Sequence, residues 1–399
     1  MRIGIDACTW SNRRGYGRFT RELVTAMVAE FPRHRVVLVV DQHTAGESVF
    51  PAGAEVEIVR TRKQPTQAAS AHGSRSPLDL WKMGRAVSRL RLDVFFFPTR
   101  YSFYPLFCRT PTVVAFHDAT AERHPELIFP GLSSRLLWRL KTWLALRRAD
   151  RLVTVSQDAR SQIAAVFRYP EAAIDVITEG PDPSFRPLNR ETAAGVLDRY
   201  GLPSGLPLIL YVGGISPHKN LQGLLEAMVH VHKTVATPWH LVLVGDYARD
   251  SFWGCHHELV ELIPKLGLGG RVTFTGYVPD DHLLMLYNAA TMLVLPSMSE
   301  GFGLPVVEAM ACGLPVAVSN RNSLPEVVGS AGLLFDPVST EEIARVIGRL
   351  LEDESLRHEL RAKGLQRAQE FSWKAAAHKM VRILEDVGAG DGERRPHDV

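Results

Sequence analysis

Two glutamates, Glu300 and Glu308, bracket the run Gly-Phe-Gly-Leu-Pro at 301–305, and no other stretch of the chain concentrates as much potential chemistry. A strand reading ends at Leu295, the glycines let backbone approach a ligand closely, Pro305 suits a first helical turn, and Gly313 is placed to stop the helix. Unpaired N–H groups and the positive dipole end at such a helix start favour an anion, a diphosphate for instance. Carboxylates accept hydrogen bonds from vicinal hydroxyls, so one glutamate suits a sugar hydroxyl and the other a ribose. The plainer reading makes Glu300 a solvated loop acid and Glu308 an exposed helix residue.

Other segments share this logic. At 209–220 the chain reads Ile-Leu-Tyr-Val-Gly-Gly-Ile-Ser-Pro-His-Lys-Asn, a strand opening through Gly213 and Gly214 into a helix, with Lys219 able to offset the charge of a departing diphosphate. At 271–288 a strand, Gly276 and a helix headed by Asp280 follow one another. In the first half, Val-Val-Ala-Phe-His-Asp at 113–118 sets His117 where a parallel strand ends, the edge at which doubly wound sheets bind ligands. His117 there bonds a sugar hydroxyl or merely caps the strand; Asp118 orients it or caps the next segment. Gly15-Tyr16-Gly17 invites a dinucleotide reading, but a long stretch separates Gly15 from the first strand, and Thr20 stands where that fingerprint has its third glycine.

The elements that must position these residues alternate. Runs rich in β-formers at 2–7, 36–40, 56–59, 94–97, 112–116 and 152–156 are interleaved with helical patterns at 18–30 and 78–90. Runs at 208–212, 240–244, 272–275, 292–295 and 316–318 follow, with helices near 220–233, 256–266, 280–290 and 305–312. Alternation of this kind predicts parallel sheets, hence an α/β fold of two doubly wound, Rossmann-like domains facing across a cleft. At 399 residues the chain exceeds what one core supports. Three prolines within 180–189 mark the linker. The expected domains are 1–183 on the acceptor side and 190–371 on the donor side, with a disordered tail over 388–399 and a mobile loop at 62–77.

The block at 300–315, followed by Leu-Pro-Glu-Val-Val-Gly at 324–329, resembles the donor site of the retaining glycosyltransferases of family 4, and the likeness extends over most of the second half. That resemblance implies a GT-B architecture and a nucleotide-diphosphate sugar as co-substrate, with no cofactor. It implies Glu300 at the donor sugar, Glu308 at the ribose, and the backbone of Gly301, Phe302, Gly303 and Leu304 at sugar and phosphate. Gly213, Gly214, His218, Lys219 and Asn220 would form the diphosphate loop, although Gly214 and His218 stand where family members often carry arginine. Tyr277 and Val278 would read the nucleobase through backbone groups. His117 would lie over the reacting sugar, and Gly15 and Gly17 would belong to a loop over the donor phosphates. Residues 372–387 would form a helix crossing back to the first domain.

Composition narrows the remaining classes. Lys and Arg number 46 against 43 acids, for a net charge of +3, which argues against a nucleic-acid coat. Four scattered cysteines form no C-x-x-C pair, and no Asp-x-Asp occurs to clamp a divalent ion on a diphosphate, so no metal site is expected. The expected partners are GDP-mannose or a UDP-hexose and a glycan, lipid-linked or small-molecule acceptor. The expected location is cytoplasmic, resting weakly on the inner face of a membrane. That contact is assigned to residues 132–148, with Leu136, Leu137, Leu140, Trp143 and Leu144 packing on the sheet and Trp138, Arg139 and Lys141 turned toward lipid. A nucleotide-sugar epimerase, a phosphorylase and a non-enzymatic nucleotide-sugar sensor are the rival readings.

Overall fold

A computed structural model describes residues 1–63, 76–129, 131–189, 192–193, 195–247 and 254–390. The chain divides into two compact units, Met1–Glu179 with Ser372–Val399, and Gly180–Phe371.

The first unit holds a parallel seven-stranded sheet in the order β3-β2-β1-β4-β5-β6-β7. Its strands are β1 (Arg2–Asp6), β2 (Arg35–Asp41), β3 (Glu55–Val59), β4 (Val94–Phe97), β5 (Thr112–Ala115), β6 (Arg151–Thr154) and β7 (Ile174–Val176). Central strands are buried on both faces, and Val94–Phe97 is apolar throughout, as strands covered on both sides by helices must be. One layer is formed by the helices Pro77–Arg89, Leu132–Arg148 and Gln157–Phe167, whose Met83, Val87, Ala145, Ala159 and Ile163 join Phe95, Phe97 and Leu152 in one core cluster. Elsewhere in the unit, Gly15–Glu30 packs against Trp373–Ala389. Phe19 meets Trp373 edge-on at 6.0 Å, and Lys374 pairs with Glu30 at 2.9 Å.

The second unit holds a parallel six-stranded sheet in the order β10-β9-β8-β11-β12-β13. Its strands are β8 (Leu208–Val212), β9 (His240–Val244), β10 (Val272–Gly276), β11 (Met292–Leu295), β12 (Val316–Ser319) and β13 (Gly332–Phe335). Leu221–Thr234 buries Leu221, Leu224, Leu225, Met228 and Val231, and Thr340–Glu352 buries Ile343, Val346, Ile347 and Leu350, both at the spacing of one helix face.

Three expectations need correction. The Leu132–Arg148 helix is turned from the expected face: Trp138, Thr142 and Ala145 are buried, while Leu136, Leu137, Leu140 and Trp143 are exposed; Leu144 packs against the core and Arg139 is exposed, as expected. Small Thr142 and Ala145 let the helix sit close to the sheet, and the Trp138 indole N–H donates to Glu122 Oε1 at 2.6 Å, which satisfies its polar handle. Lys141 is tied as well, its Nζ donating to the Tyr101 carbonyl and lying 4.6 Å above the Trp138 ring. The edge strands β7 and β13 have no counterpart among the expected runs; one is only three residues long and the other keeps a single buried position. Gly388 and Ala389, expected in a tail, belong to the last helix; residues 391–399 lie outside the described residues, as do 64–75 of the expected mobile loop.

Candidate active site

In the second unit the chain leaves β8 toward β9 and β10 on one side and returns through β11 on the other. The carboxyl ends of β8 and β11 therefore flank a topological switch point, where open α/β sheets bind ligands. Loop 213–220 follows one strand and loop 296–303 the other. They are stitched together: the Met298 N–H donates to the His218 carbonyl at 2.8 Å, and Lys219 Nζ donates to Glu300 Oε1 at 2.7 Å. Ser297 Oγ donates to the same Oε1 at 2.7 Å. Both side chains of the Lys219–Glu300 pair are largely buried, so the attraction is less screened than at an open surface.

Backbone geometry sharpens this crevice. Gly303 has φ +100 and caps the helix Leu304–Ala311, and a Cβ there would fall 2.6 Å from Leu324. Pro305 lies in the first turn, as the sequence suggests, and the helix ends at Ala311 with Gly313 at φ +71 beyond it. Ser323 Oγ donates to the carbonyls of both Glu300 and Phe302, fixing the loop's path. Gly213 donates to the Val244 carbonyl and Gly245 to the Gly276 carbonyl, so the exits of β8, β9 and β10 lie edge to edge. A Cβ on Gly245 would come within 2.2 Å of the Gly213 carbonyl oxygen, an approach that glycine alone permits.

The remaining residues singled out in this unit take varied positions. Glu308 is buried and accepts from the Tyr287 hydroxyl at 3.0 Å, which sets aside the picture of an exposed helix acid. Its charge, after burial itself, helps push the neighbouring Cys312 thiol up to about 12. Asn220 holds a left-handed conformation at φ 56 and its amide donates to the Pro337 carbonyl, so its side chain braces the loop. His218 Nδ1 lies 3.3 Å from Ser216 Oγ. Gly214 accepts from the Tyr211 hydroxyl at 2.7 Å. Tyr277 is exposed and Val278 buried. Tyr247, stacked at 3.8 Å on His256 beside Gly276, was not anticipated; an aromatic just beyond the second strand of this sheet was the available signal.

The first unit has its own switch point, between β1 and β4. His117, at the exit of β5, reaches toward it, with Nε2 2.8 Å from the Pro98 carbonyl oxygen and Nδ1 3.8 Å from Glu179 Oε1. A carbonyl only accepts, so Nε2 carries a proton and Nδ1 faces the acid. The edge of Phe19 closes against the imidazole at 4.7 Å. The Asp118 carboxylate accepts from the Thr120 N–H and lies 4.0 Å from the Arg100 guanidinium. Beneath lies a buried ion pair: Arg100 donates to both Glu122 oxygens and stacks against Phe116 and Trp138. Gly17 is fixed by close packing, since a Cβ there would sit 2.1 Å from the Asn12 carbonyl oxygen, whereas Gly15 has open space. Neither Glu179 nor the Arg100–Glu122 pair was among the expected site residues; an acid directly before the Pro-rich linker was the visible clue to the first.

Known proteins resemble this chain in both halves. Residues 197–367 match the family model described as glycosyl transferases group 1, and residues 13–185 match that of glycosyltransferase family 4. The O-antigen chain mannosyltransferase B of Escherichia coli is 38% identical over 280 residues, which cover 68% of this chain and 70% of that protein. D-inositol 3-phosphate glycosyltransferase of Rhodococcus opacus (strain B4) is 31% identical over 62% of this chain and 57% of its own length. For the E. coli serotype-specific mannosyltransferase WbdA, at 31% identity, the match spans only 31% of the protein. Among solved structures, WaaG, a glycosyltransferase involved in lipopolysaccharide biosynthesis, superposes with TM-score 0.74 at 18% identity, covering 96% of this chain and 99% of that one. Anabaena Alr3699/HepE in complex with UDP-glucose gives 0.73 at 20%, with coverage of 96% and 99%. Two parallel-sheet α/β domains with these crevices, matched along both halves, make the chain a glycosyltransferase of the group 1, family 4 type with the GT-B fold.

Proposed function

We propose that this glycosyltransferase moves a hexosyl group, of mannose or glucose type, from a nucleotide-diphosphate sugar to a glycan, lipid-linked or small-molecule acceptor in the cytoplasm, with retention of anomeric configuration and without a divalent metal. The observation that carries this reading is the Lys219–Glu300 pair held across the β8/β11 switch point. A diphosphate entering between the two loops competes with Glu300 for the Lys219 ammonium. Once Lys219 turns to phosphate oxygens, Glu300 is free to accept a hydrogen bond from a sugar hydroxyl, so binding itself arms both residues. Lys219 and the N–H groups at the start of Leu304–Ala311 then offset the charge on the departing diphosphate. His117, with one nitrogen fixed by Pro98, presents a defined face to the sugar or acceptor. Glu308 supports the ribose contact, and Tyr277 and Val278 the nucleobase.

The 38% identity to a protein named as a mannosyltransferase favours mannose as the transferred sugar. A thermal-shift panel of GDP-mannose, UDP-glucose and UDP-N-acetylglucosamine tests this, because a true donor stabilises the fold by mass action. Incubation with the preferred donor alone separates transfer from epimerisation: hydrolysis or no reaction fits a transferase, whereas an isomerised nucleotide sugar overturns the reading. Product anomers resolved by NMR test retention. Activity that disappears in excess EDTA and returns with Mg²⁺ or Mn²⁺ would refute metal independence.

A further inference from the structure

The reorientation of Leu132–Arg148 leaves a face that the glycosyl-transfer chemistry does not use. Leu132 is 83% exposed, Leu136 68%, Leu137 62%, Leu140 53% and Trp143 49%, while Trp138 on the opposite side is 3% exposed. Positions 132, 136, 140 and 143 follow one another at helical intervals, so these side chains make one stripe. Isolated exposed leucines are ordinary, but a continuous row along one helix marks a surface that meets something apolar. The same helix carries five basic residues and no acid, with Arg135, Arg139 and Arg147 exposed beside the stripe.

A neighbouring helix in the same layer repeats the pattern. Trp81 of Pro77–Arg89 is exposed and stacked under Arg85 at 4.9 Å, much as Trp143 is stacked under Arg147 at 4.7 Å. Its only acid, Asp79, is buried and accepts from the Arg62 and Lys63 N–H groups. The segment between the helices joins them: exposed Phe107 lies against Gly84, and Arg148 donates to the Cys108 carbonyl. Apolar and aromatic side chains rimmed by arginines and lacking exposed acids on either helix complement one surface in particular, an anionic lipid headgroup layer over hydrocarbon. A protein groove of matching shape would reward the leucines but gives no reason for such one-sided charge.

We propose that this outer helical layer of the first unit, centred on the Leu136–Leu140 stripe, docks the enzyme on an anionic membrane surface. The helix lies in the interface: at seventeen residues with five cations it does not span, and no described helix is long and apolar enough to cross a membrane. Leucines enter the headgroup boundary, Trp81 and Trp143 sit at headgroup level, and the arginines meet lipid phosphate. The lipid-facing face thus keeps Arg139 from the expected trio and replaces Trp138, which is buried, and Lys141, which is half-buried, with the leucines.

The test is co-sedimentation of the full chain with phosphatidylcholine vesicles containing phosphatidylglycerol, against pure phosphatidylcholine. Binding is expected to the anionic vesicles and to weaken as salt rises, with about fivefold in affinity carried by each basic group near the surface. Leu137→Glu with Leu140→Glu should lower vesicle affinity by at least about tenfold, and the neutral pair Leu137→Ser with Leu140→Ser by less but in the same direction. Both positions are exposed, so circular dichroism and transfer activity on a soluble acceptor should match wild type. Tryptophan emission should shift blue on vesicles, the shift shrinking in Trp143→Phe and disappearing when Trp81→Phe is added. Three results each overturn the proposal: wild type ignoring anionic vesicles at low salt, leucine variants binding as wild type does, or a self-associated wild type that the same substitutions turn monomeric, which would make the face a contact between copies.

Discussion

Two crevices in this molecule share a topology and differ in chemistry. Each lies where a parallel sheet reverses its strand order, β1 against β4 in one unit and β8 against β11 in the other. In the second unit the flanking loops meet through opposite charges, Lys219 and Glu300, backed by Ser297 and by a backbone bond from Met298 to His218. In the first unit the loop after β4 is joined to the loop after β5 through a histidine fixed to a carbonyl, with a buried acid behind it and an aromatic edge beside it. The fold supplies the place twice over; on the proposed function, loop residues alone assign a diphosphate to one place and a neutral, hydroxyl-bearing group to the other.

That contrast breaks most readily in kinetics. Lys219→Ala is expected to cost about 2–4 kcal/mol of transition-state stabilisation, and Glu300→Gln to lower kcat comparably with little change in donor KM. His117→Ala should cost less, about 10- to 100-fold in rate, because positioning a neutral hydroxyl stabilises less than meeting developing charge. Steady-state kinetics with all three variants decide it, and a larger loss at His117 than at Lys219 would reverse the assignment of roles.

Stability sharpens the comparison next. Lys219→Met leaves Glu300 largely buried without its cation and should lower unfolding free energy by roughly 1–3 kcal/mol. Adding Glu300→Gln should restore part of that loss while activity stays absent, the coupling expected of a directly bonded pair. Denaturant melts of the two singles and the double give the coupling; additivity would mean that the pair does not hold the loops together.

Glycines offer a smaller contrast within one unit. Gly17→Ala forces a methyl against the Asn12 carbonyl and should destabilise by about 1–3 kcal/mol, whereas Gly15→Ala, with open space around it, should stay within about 0.5 kcal/mol. Equal melting temperatures for both would show that the Asn12 turn yields freely. The smallest expected effect is in the second unit, where Glu308→Gln keeps the Tyr287 hydrogen bond and should raise donor KM by only a few-fold.

Legibility followed burial and periodicity. Strands such as Val94–Phe97 and Met292–Leu295 are apolar at every position, so the middle of each sheet is legible in the amino-acid sequence alone. Edge strands β7 and β13 are not: β7 is only three residues long, too short to impose a pattern, and nothing in burial separates β13 from the edge strands β3 and β10, which the sequence does mark. The Glu300 loop was legible because glycine, proline and carboxylate each carry a separate local constraint. Its link to Lys219 was not, since the two lie 81 residues apart and meet only through the β8/β11 adjacency. The Leu132–Arg148 helix misled for a physical reason: its fully buried residues are Trp138, Thr142 and Ala145, small or polar-tipped, while Leu132, Leu136, Leu137 and Leu140 form the exposed stripe. An amphipathic pattern states that two faces differ; which one meets the core depends on what the core offers, here Glu122 and Arg100 waiting for an indole.

The return of Trp373–Ala389 to the first unit bears on the order in which the protein comes into being. That helix buries Trp373, Ala377, Met380 and Leu384, and Gly388 sits so near Met1 that a Cβ would collide with its side chain. The first unit is therefore discontinuous, closed by residues that are synthesised only after the whole of Gly180–Phe371, while Gly180–Phe371 is continuous and complete once its own stretch has emerged. During synthesis the earlier-made unit must keep the apolar side of Gly15–Glu30 from other partners until Trp373–Ala389 has emerged, whereas the later-made unit can fold on release. Birth order and folding order are thus inverted, and a chain cut after Phe371 would strand the older half with its core open.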